Sequence, residues 1–414
     1  MQQAKRVVVT GMGCVTPLGC DVETVWRRLL AAESGVVPIS RFDASEMSVR
    51  IAAEVRDFDP VDYLDKRASR RMDLFARYAA AAAVIARDDA GLVVEPEAEH
   101  IGACIGSGVG GLQTFEHETR RLISNGPDRV NPLLIPMLIP NMAAAHVSLT
   151  LGTQGPLTAT CTACAAGSNG IGDAFEMIRR GDAVAMFAGG SEAAIAPIGI
   201  AGFAALRALS TRNDAPTEAS RPFDAGRDGF VMGEGGGVLL LEELEHARAR
   251  RARIYVELVG YGMSSDAFHM VAPDESGRSQ ARAMTNAMAQ AGVEPTEIGY
   301  LNAHGTSTPA GDTAEVKAIK IAFGDHAGDV AVSSSKSMIG HCLGGSGGIE
   351  AIVAVMTIVT GQIHPTANLT DPDPDCDLDF VPLEARSADV RIAGSNSFGF
   401  GGHNVTLLFK RFED

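Results

Sequence analysis

The stretch Thr160-Cys161-Thr162-Ala163-Cys164-Ala165-Ala166-Gly167-Ser168 decides the reading of this chain. A Gly155-Pro156 turn and a β-favouring run over 157–160 precede it. Residues 170–180 follow, with Ile171, Ala174, Phe175 and Ile178 at helical spacing. The order is strand, tight turn of small residues, helix, with a thiol at the turn. Unpaired N–H groups at a helix start carry about half a positive charge and favour a thiolate over a thiol. Ala163, Ala165, Ala166 and Gly167 leave room for a substrate to reach the sulfur. Cys161 and Cys164 also form a C-x-x-C pair, the pattern of a redox couple or half a metal site. No second C-x-x-C or His pair at zinc spacing accompanies it, so structural zinc is not expected. A Cys161–Cys164 disulfide under oxidation stands as an alternative fate of the same thiols.

Outward from this unit the chain alternates strands and helices. Val7-Val8-Val9-Thr10 reads as a buried strand closed by Gly11-Met12-Gly13. Residues 72–87 read as a long helix, and 101–105 as a strand ending in Gly106-Ser107-Gly108-Val109-Gly110-Gly111. That loop lacks the Lys-Ser/Thr of a P-loop and the later acid of a dinucleotide site, so it is expected to line a pocket. Residues 131–150, punctuated by Pro132, Pro136 and Pro140, read as an irregular apolar stretch. Strands are expected over 182–189 and 235–241, then a charged helix over 242–253. The same succession restarts at 254–260, closed by Gly260-Tyr261-Gly262. The chain is therefore expected to be two related halves, 1–253 and 254–414, in an α/β fold with mainly parallel sheets. Residues 394–404 are expected to form a glycine-rich loop before a last strand.

The bulk composition bounds the function. A chain of 414 residues with 46% hydrophobic content suits two halves around a large core. The net charge of −16 argues against binding nucleic acid or an anionic membrane surface. Seven cysteines, with no signal-peptide pattern, point to a reducing cytoplasm. The longest apolar helical run, 349–359, is too short to span a bilayer.

Three polar groups fall at strand ends in the second half: His304 in a small-residue turn, Lys336, and His341 after Gly340, in the place that mirrors Cys164. Together with Thr162-Ala163-Cys164, the runs Asn302-Ala303-His304-Gly305-Thr306-Ser307-Thr308, Lys336-Ser337-Met338-Ile339-Gly340-His341 and Asn396-Ser397-Phe398-Gly399-Phe400-Gly401-Gly402 resemble the β-ketoacyl-acyl-carrier-protein synthases, with the elongating type II form nearest. The resemblance covers essentially the whole chain. It implies a thiolase-like fold, five layers α-β-α-β-α built from two similar halves, usually as a homodimer. The implied reaction is a decarboxylating Claisen condensation. Cys164 takes an acyl chain from acyl carrier protein, and a malonyl carrier loses CO2 and attacks the thioester.

The remaining roles come from that resemblance. The N–H groups of Cys164 and Phe400 form the oxyanion pair, and His304 and His341 stabilise the enolate. Lys336 orients the site with Glu350, and Asp312 and Glu315 support the His304 loop. Thr306 and Thr308 bind the pantetheine, Phe398 and Gly399 lie on the substrate side, and Phe400 gates acyl entry. Val109 meets the far end of the acyl chain. Lys66, Arg67, Arg70 and Arg71 form the docking patch for the acidic carrier. No resident cofactor is implied; a monovalent cation beside Glu350 is left open. Two positions depart from the family pattern: His403 replaces a Thr, and Val271 replaces a hydroxyl on the pantetheine side. A thiolase needs a second cysteine near the C-terminus, and the last one is Cys376. An initiating synthase pairs Cys with His and Asn, and a chain-length partner subunit lacks the cysteine. A ketosynthase of a dissociated polyketide system is the alternative that shares all the chemistry.

Overall fold

The computed structural model describes residues 4–95 and 97–413. Ten strands carry the architecture: β1 (Val7–Val15), β2 (Ile101–Gly106), β3 (Leu157–Thr158), β4 (Ala185–Glu192), β5 (Gly235–Glu243), β6 (Val256–Ser265), β7 (Ile298–Asn302), β8 (Ala331–Ser333), β9 (Ile392–Gly399) and β10 (His403–Arg411). Their spatial order is β8-β7-β9-β10-β6-β1-β5-β4-β2-β3. Cut between β6 and β1, this gives two five-stranded sheets of one plan. The first runs β3-β2-β4-β5-β1 and the second β8-β7-β9-β10-β6, with every label shifted by five. A short ladder, Val7↔Leu258, Val8↔Glu257 and Val9↔Val256, joins them.

Both sheets are mixed, which corrects the expectation of mainly parallel pairing. β2 is parallel to β3 and β4, but β5 is antiparallel to β4 and β1. The second half repeats this around β10. The reason is visible at 394–404, expected as a loop. These residues are the end of β9, a three-residue turn and the start of β10. So short a turn returns the chain only antiparallel.

Six helices complete five layers: α1 (Leu74–Ala90), α2 (Met142–Leu151), α3 (Ala166–Arg180), α4 (Arg278–Ala291), α5 (Pro309–Phe323) and α6 (Ser346–Thr360). α1 and α2 cover the outer face of the first sheet, α4 and α5 that of the second. α3 and α6 lie between the sheets. All nine residues of β1 are buried, and its glycines are places where a helix backbone comes close. A Cβ at Gly11 would sit 2.2 Å from the Ala86 carbonyl oxygen, and one at Gly13 2.1 Å from that of Ala82. The second half repeats the device, with Gly260 against Ala287 and Gly262 against Ala283.

Three further expectations change. Residues 131–150 contain the helix Leu134–Leu138 as well as α2. Pro136 is tolerated because the first helical turn has no N–H partners to lose. The charged helix over 242–253 shrinks to Leu244–Ala249. Glu242 instead lies within β5, fully buried, its carboxylate held by Thr10, His246 and Arg250. The apolar run at 349–359 extends as a helical stretch over Leu343–Thr360, whose 18 residues are enough by length and composition to cross a membrane. It is 83% buried within the protein, as befits a helix covered by a sheet on each side.

Candidate active site

Cys164 sits in a 3-10 turn, Ala163–Ala165, that runs directly into α3. Ala163 adopts a left-handed φ of 51°, which folds the chain sharply between β3 and the helix. The sulfur is deep: Cys164 is 6% exposed. Burial pushes its thiol up to about 12, against the pull of the Lys336 charge and the facing N–H groups of Phe400 and Cys164 itself. The resting group is therefore a thiol, although the helix start was expected to favour the thiolate. Desolvation outweighs the helix end at this depth. The N–H groups of Phe400 and Cys164 thus both face the sulfur.

His304 follows β7. Its backbone N–H and that of Gly305 donate to the two oxygens of Glu315 at 2.8 and 2.7 Å. Asn396 on β9 donates to Glu315 at 3.1 Å. Asp312 accepts the Ser307 N–H at 3.2 Å and the Phe223 N–H at 2.9 Å, with the Arg227 guanidinium 3.5 Å away. Both acids thus lie behind the His304 loop, where the resemblance puts them.

His341 is held by its backbone, donating to Val231 at 2.7 Å and accepting from Gly233 at 2.9 Å. Its Nδ1 lies 3.1 Å from the Ser346 hydroxyl at the start of α6. With that hydroxyl donating, the ring proton sits on Nε2. The His304 and His341 rings are 5.3 Å apart and perpendicular. Burial and the Lys336 charge hold both well below the usual imidazole pKa, so both are neutral. Lys336 forms a short ion pair with Glu350, and neither side chain has exposed surface.

One cavity of about 350 Å³ gathers these groups. Its walls include Cys164, His304, His341, Thr306, Thr308 and Phe400. Phe398, Gly399 and Val271 line it as well. The two threonine hydroxyls are 3.0 Å apart. Phe400 packs on Phe203 with centroids 6.2 Å apart, at the tip of the β9–β10 hairpin. Gly401 and Gly402 have φ of 83° and 78°, a turn only glycine makes without strain. Val109 is half-buried beside the apolar cluster containing Cys164. Lys66, Arg67, Arg70 and Arg71 are all exposed, the first two on the short helix Lys66–Ser69. His403 is exposed at the start of β10, outside the cavity wall.

Models of the two halves of the β-ketoacyl synthases match this chain, the N-terminal domain over residues 4–247 and the C-terminal domain over 255–370. The chain belongs to the β-ketoacyl synthase family. It is 53% identical over 412 residues, 99% of both chains, to the 3-oxoacyl-[acyl-carrier-protein] synthase 2 of Synechocystis sp.. The enzyme of the same name from Staphylococcus aureus is 53% identical over 414 residues, the whole of both chains. Among solved structures, a β-ketoacyl synthase from Burkholderia phymatum superposes with a TM-score of 0.92 at 38% identity, covering 99% of this chain and all of the other. The ishigamide ketosynthase/chain length factor gives 0.93 at 36%, with the same coverage. A type II polyketide ketosynthase solved with its acyl carrier protein gives 0.91 at 33%, again over 99% of this chain and all of that one. The fold of this β-ketoacyl synthase is the five-layered thiolase-like one.

The duplication also corrects a placement. The turn Leu343–Gly345 and α6 repeat the turn Ala163–Ala165 and α3, with both helices 15 residues long. Leu343, at φ 48°, matches Ala163. Gly344 is therefore the counterpart of Cys164, and His341 that of Cys161. Sequence reasoning passed over four residues that build the site. Ser346 aims His341, and Phe203 and Phe230 close the cavity beside it. Glu192 buries a carboxylate next to the nucleophile turn. A charged residue ending a wholly buried strand was the available signal for Glu192.

Proposed function

We propose that this synthase condenses an acyl group held on Cys164 with a malonyl unit delivered on acyl carrier protein, in fatty acid elongation. The observation that carries the proposal is the shared cavity: a thiol facing two N–H donors, opposite two neutral imidazoles. In the first step the Cys164 sulfur attacks the carrier thioester. The oxyanion forms against the N–H groups of Cys164 and Phe400, and the pantetheine thiolate leaves, taking the thiol proton. In the second step malonyl carrier loses CO2. The Nε2–H groups of His304 and His341 donate to the enolate oxygen. Neutral donors stabilise that charge without surrendering a proton to the carbon. The carbanion then attacks the acyl thioester, Cys164 departs, and a 3-oxoacyl chain two carbons longer remains on the carrier. Thr306 and Thr308 hold the pantetheine along the cavity mouth, and Phe400 must swing off Phe203 before an acyl chain passes.

The identity to curated fatty acid enzymes exceeds that to the polyketide ketosynthases, which favours fatty acid service. Lys66, Arg67, Arg70 and Arg71 would meet the acidic carrier. The edge strand β3 with exposed Leu157, and nearby Ile135 and Leu149 at 59% and 74% exposure, support pairing with a second copy as a homodimer. Seven free cysteines fit a reducing cytoplasm. The matching strand plans support halves meeting at 253/254. A monovalent cation also fits the residues present. Glu350 Oε2, Asn302 Oδ1 and Ser395 Oγ are buried without a partner among the described residues, and Ser395 pairs with Asn302 across β9 and β7. Such hard oxygens would hold the ion, which supplies charge compensation behind the His304 loop. Incubating the purified protein with acyl and malonyl carrier thioesters tests the main proposal. The expected product is a 3-oxoacyl carrier two carbons longer by mass; release of CO2 without a longer chain contradicts it.

A further inference from the structure

Glu192 ends β4 with no exposed surface, and every partner of its carboxylate is a donor. Oε1 accepts from the Ser107 hydroxyl at 2.8 Å and from the N–H groups of Val109 and Gly110 at 3.2 Å each. Oε2 accepts the N–H groups of Gly108 at 2.7 Å and Gly344 at 3.1 Å. The Ser107 oxygen itself accepts the Gly110 N–H, so its hydroxyl proton is committed to Glu192. Burial pushes the pKa of Glu192 up, but donors on all sides with no acceptor require the ionised form.

The duplication says what that anion occupies. Gly344 is the counterpart of Cys164, so its N–H is the counterpart of one that faces the reacting sulfur. The second half keeps this donor of an oxyanion site but has no nucleophile beside it. Glu192 fills the place with a permanent charge. Two walls of the apolar cluster around Cys164 hang from that carboxylate. The 107–110 loop carries Val109, and the turn Leu343–Gly345 carries Leu343. The fit leaves no slack: a Cβ at Gly344 would lie 2.4 Å from the Gly108 nitrogen, and one at Gly108 2.9 Å from the Glu192 carboxylate.

We propose that Glu192 is a positioning residue that sets the acyl pocket, tying the 107–110 loop of the first half to the Leu343–Gly345 turn of the second through the duplicated oxyanion position. This deepens the condensing reading and rests on Cys164 being the acylated residue.

The test is Glu192→Gln, which turns an amide NH2 against backbone N–H groups and forces one wall to move. The expected fall in kcat/KM is roughly tenfold larger for long acyl primers than for the shortest. Alkylation of Cys164 by iodoacetamide should also shift to lower pH, because a charge opposing the thiolate is gone. Ser107→Ala keeps the carboxylate, so it should give a smaller fall with the same length selectivity and no shift in alkylation. An equal loss at every primer length, or unchanged length preference, overturns the proposal. If Glu192→Gln yields no folded protein by circular dichroism, Ser107→Ala decides by the same criterion. Short-primer condensation with the acyl group on Cys164 in either variant separates a failure of this proposal from a failure of the condensing reading.

Discussion

Replacing Lys336 with Met removes one charge and keeps the length of the side chain. Lys336 and Glu350 are both without exposed surface, and breaking such a pair from one side costs about 3–5 kcal/mol of stability. Burial already raises the Glu350 carboxyl to about 7 with the ammonium present, so in the variant it takes up a proton and recovers part of that loss. The double variant Lys336→Met/Glu350→Gln should therefore be more stable than Lys336→Met alone. The chemistry shifts too. The Lys336 charge is one cause of the lowered pKa values of His304 and His341. Without it both rise toward the ordinary imidazole value, and the neutral donors are lost at a higher pH as the solution is acidified. The acid limb of malonyl decarboxylation should move to higher pH in the variant. Thermal melts and decarboxylation rates followed from about pH 5 to 8 measure both effects. An unmoved acid limb, with the single variant as stable as the parent, would refute the reasoning.

Other outcomes follow from the same geometry. Gly402→Ala, at φ 78° with a Cβ 2.8 Å from that of Asp266, should strain the Phe400 hairpin and slow the acylation burst more than decarboxylation. Equal slowing of both would count against Phe400 as a gate. Reversing charge at Lys66 and Arg70 should raise KM for carrier substrates about tenfold at low ionic strength, with the gap closing as salt is added; a KM that ignores both changes removes the docking assignment. His364 is fully buried among Tyr300, Asn302 and Ser333, and burial lowers its pKa from 6.5 to about 4. A depressed folded pKa means stability that is present above 6.5 and lost as pH falls through 4. Relative to His364→Asn, the parent should lose stability over that window in acid denaturation; parallel curves would contradict the buried neutral ring.

How much of this was legible in the sequence depended on the kind of signal. Val7-Val8-Val9-Thr10 announced the first strand, but Gly11 and Gly13 read as its close, whereas the strand runs on to Val15 and the two glycines are where a helix backbone presses on it. The repeat at Gly260 and Gly262 announced the duplication. Cys164, His304, Lys336 and His341 were legible because chemistry-bearing residues sat in small-residue turns at strand ends. Pairing direction was not legible, because the antiparallel return of β10 is set by a three-residue turn whose glycines read as loop. Thiol ionisation was misjudged because a helix end is visible in sequence, whereas the depth that desolvates the sulfur is a tertiary quantity. Glu192 went unassigned since its five donors come from two segments far apart in sequence, 107–110 and Gly344, that only the fold brings to the end of β4.

The central claim is that the first-half sulfur becomes the acyl carrier of the reaction. Intact-mass and peptide measurement after brief exposure to acyl carrier thioester, before any malonyl donor is added, tests this most directly. One acyl group per chain is expected, confined to the peptide bearing Cys164 and absent in Cys164→Ala. An acyl group on another residue, or chain extension that persists in Cys164→Ala, would contradict it.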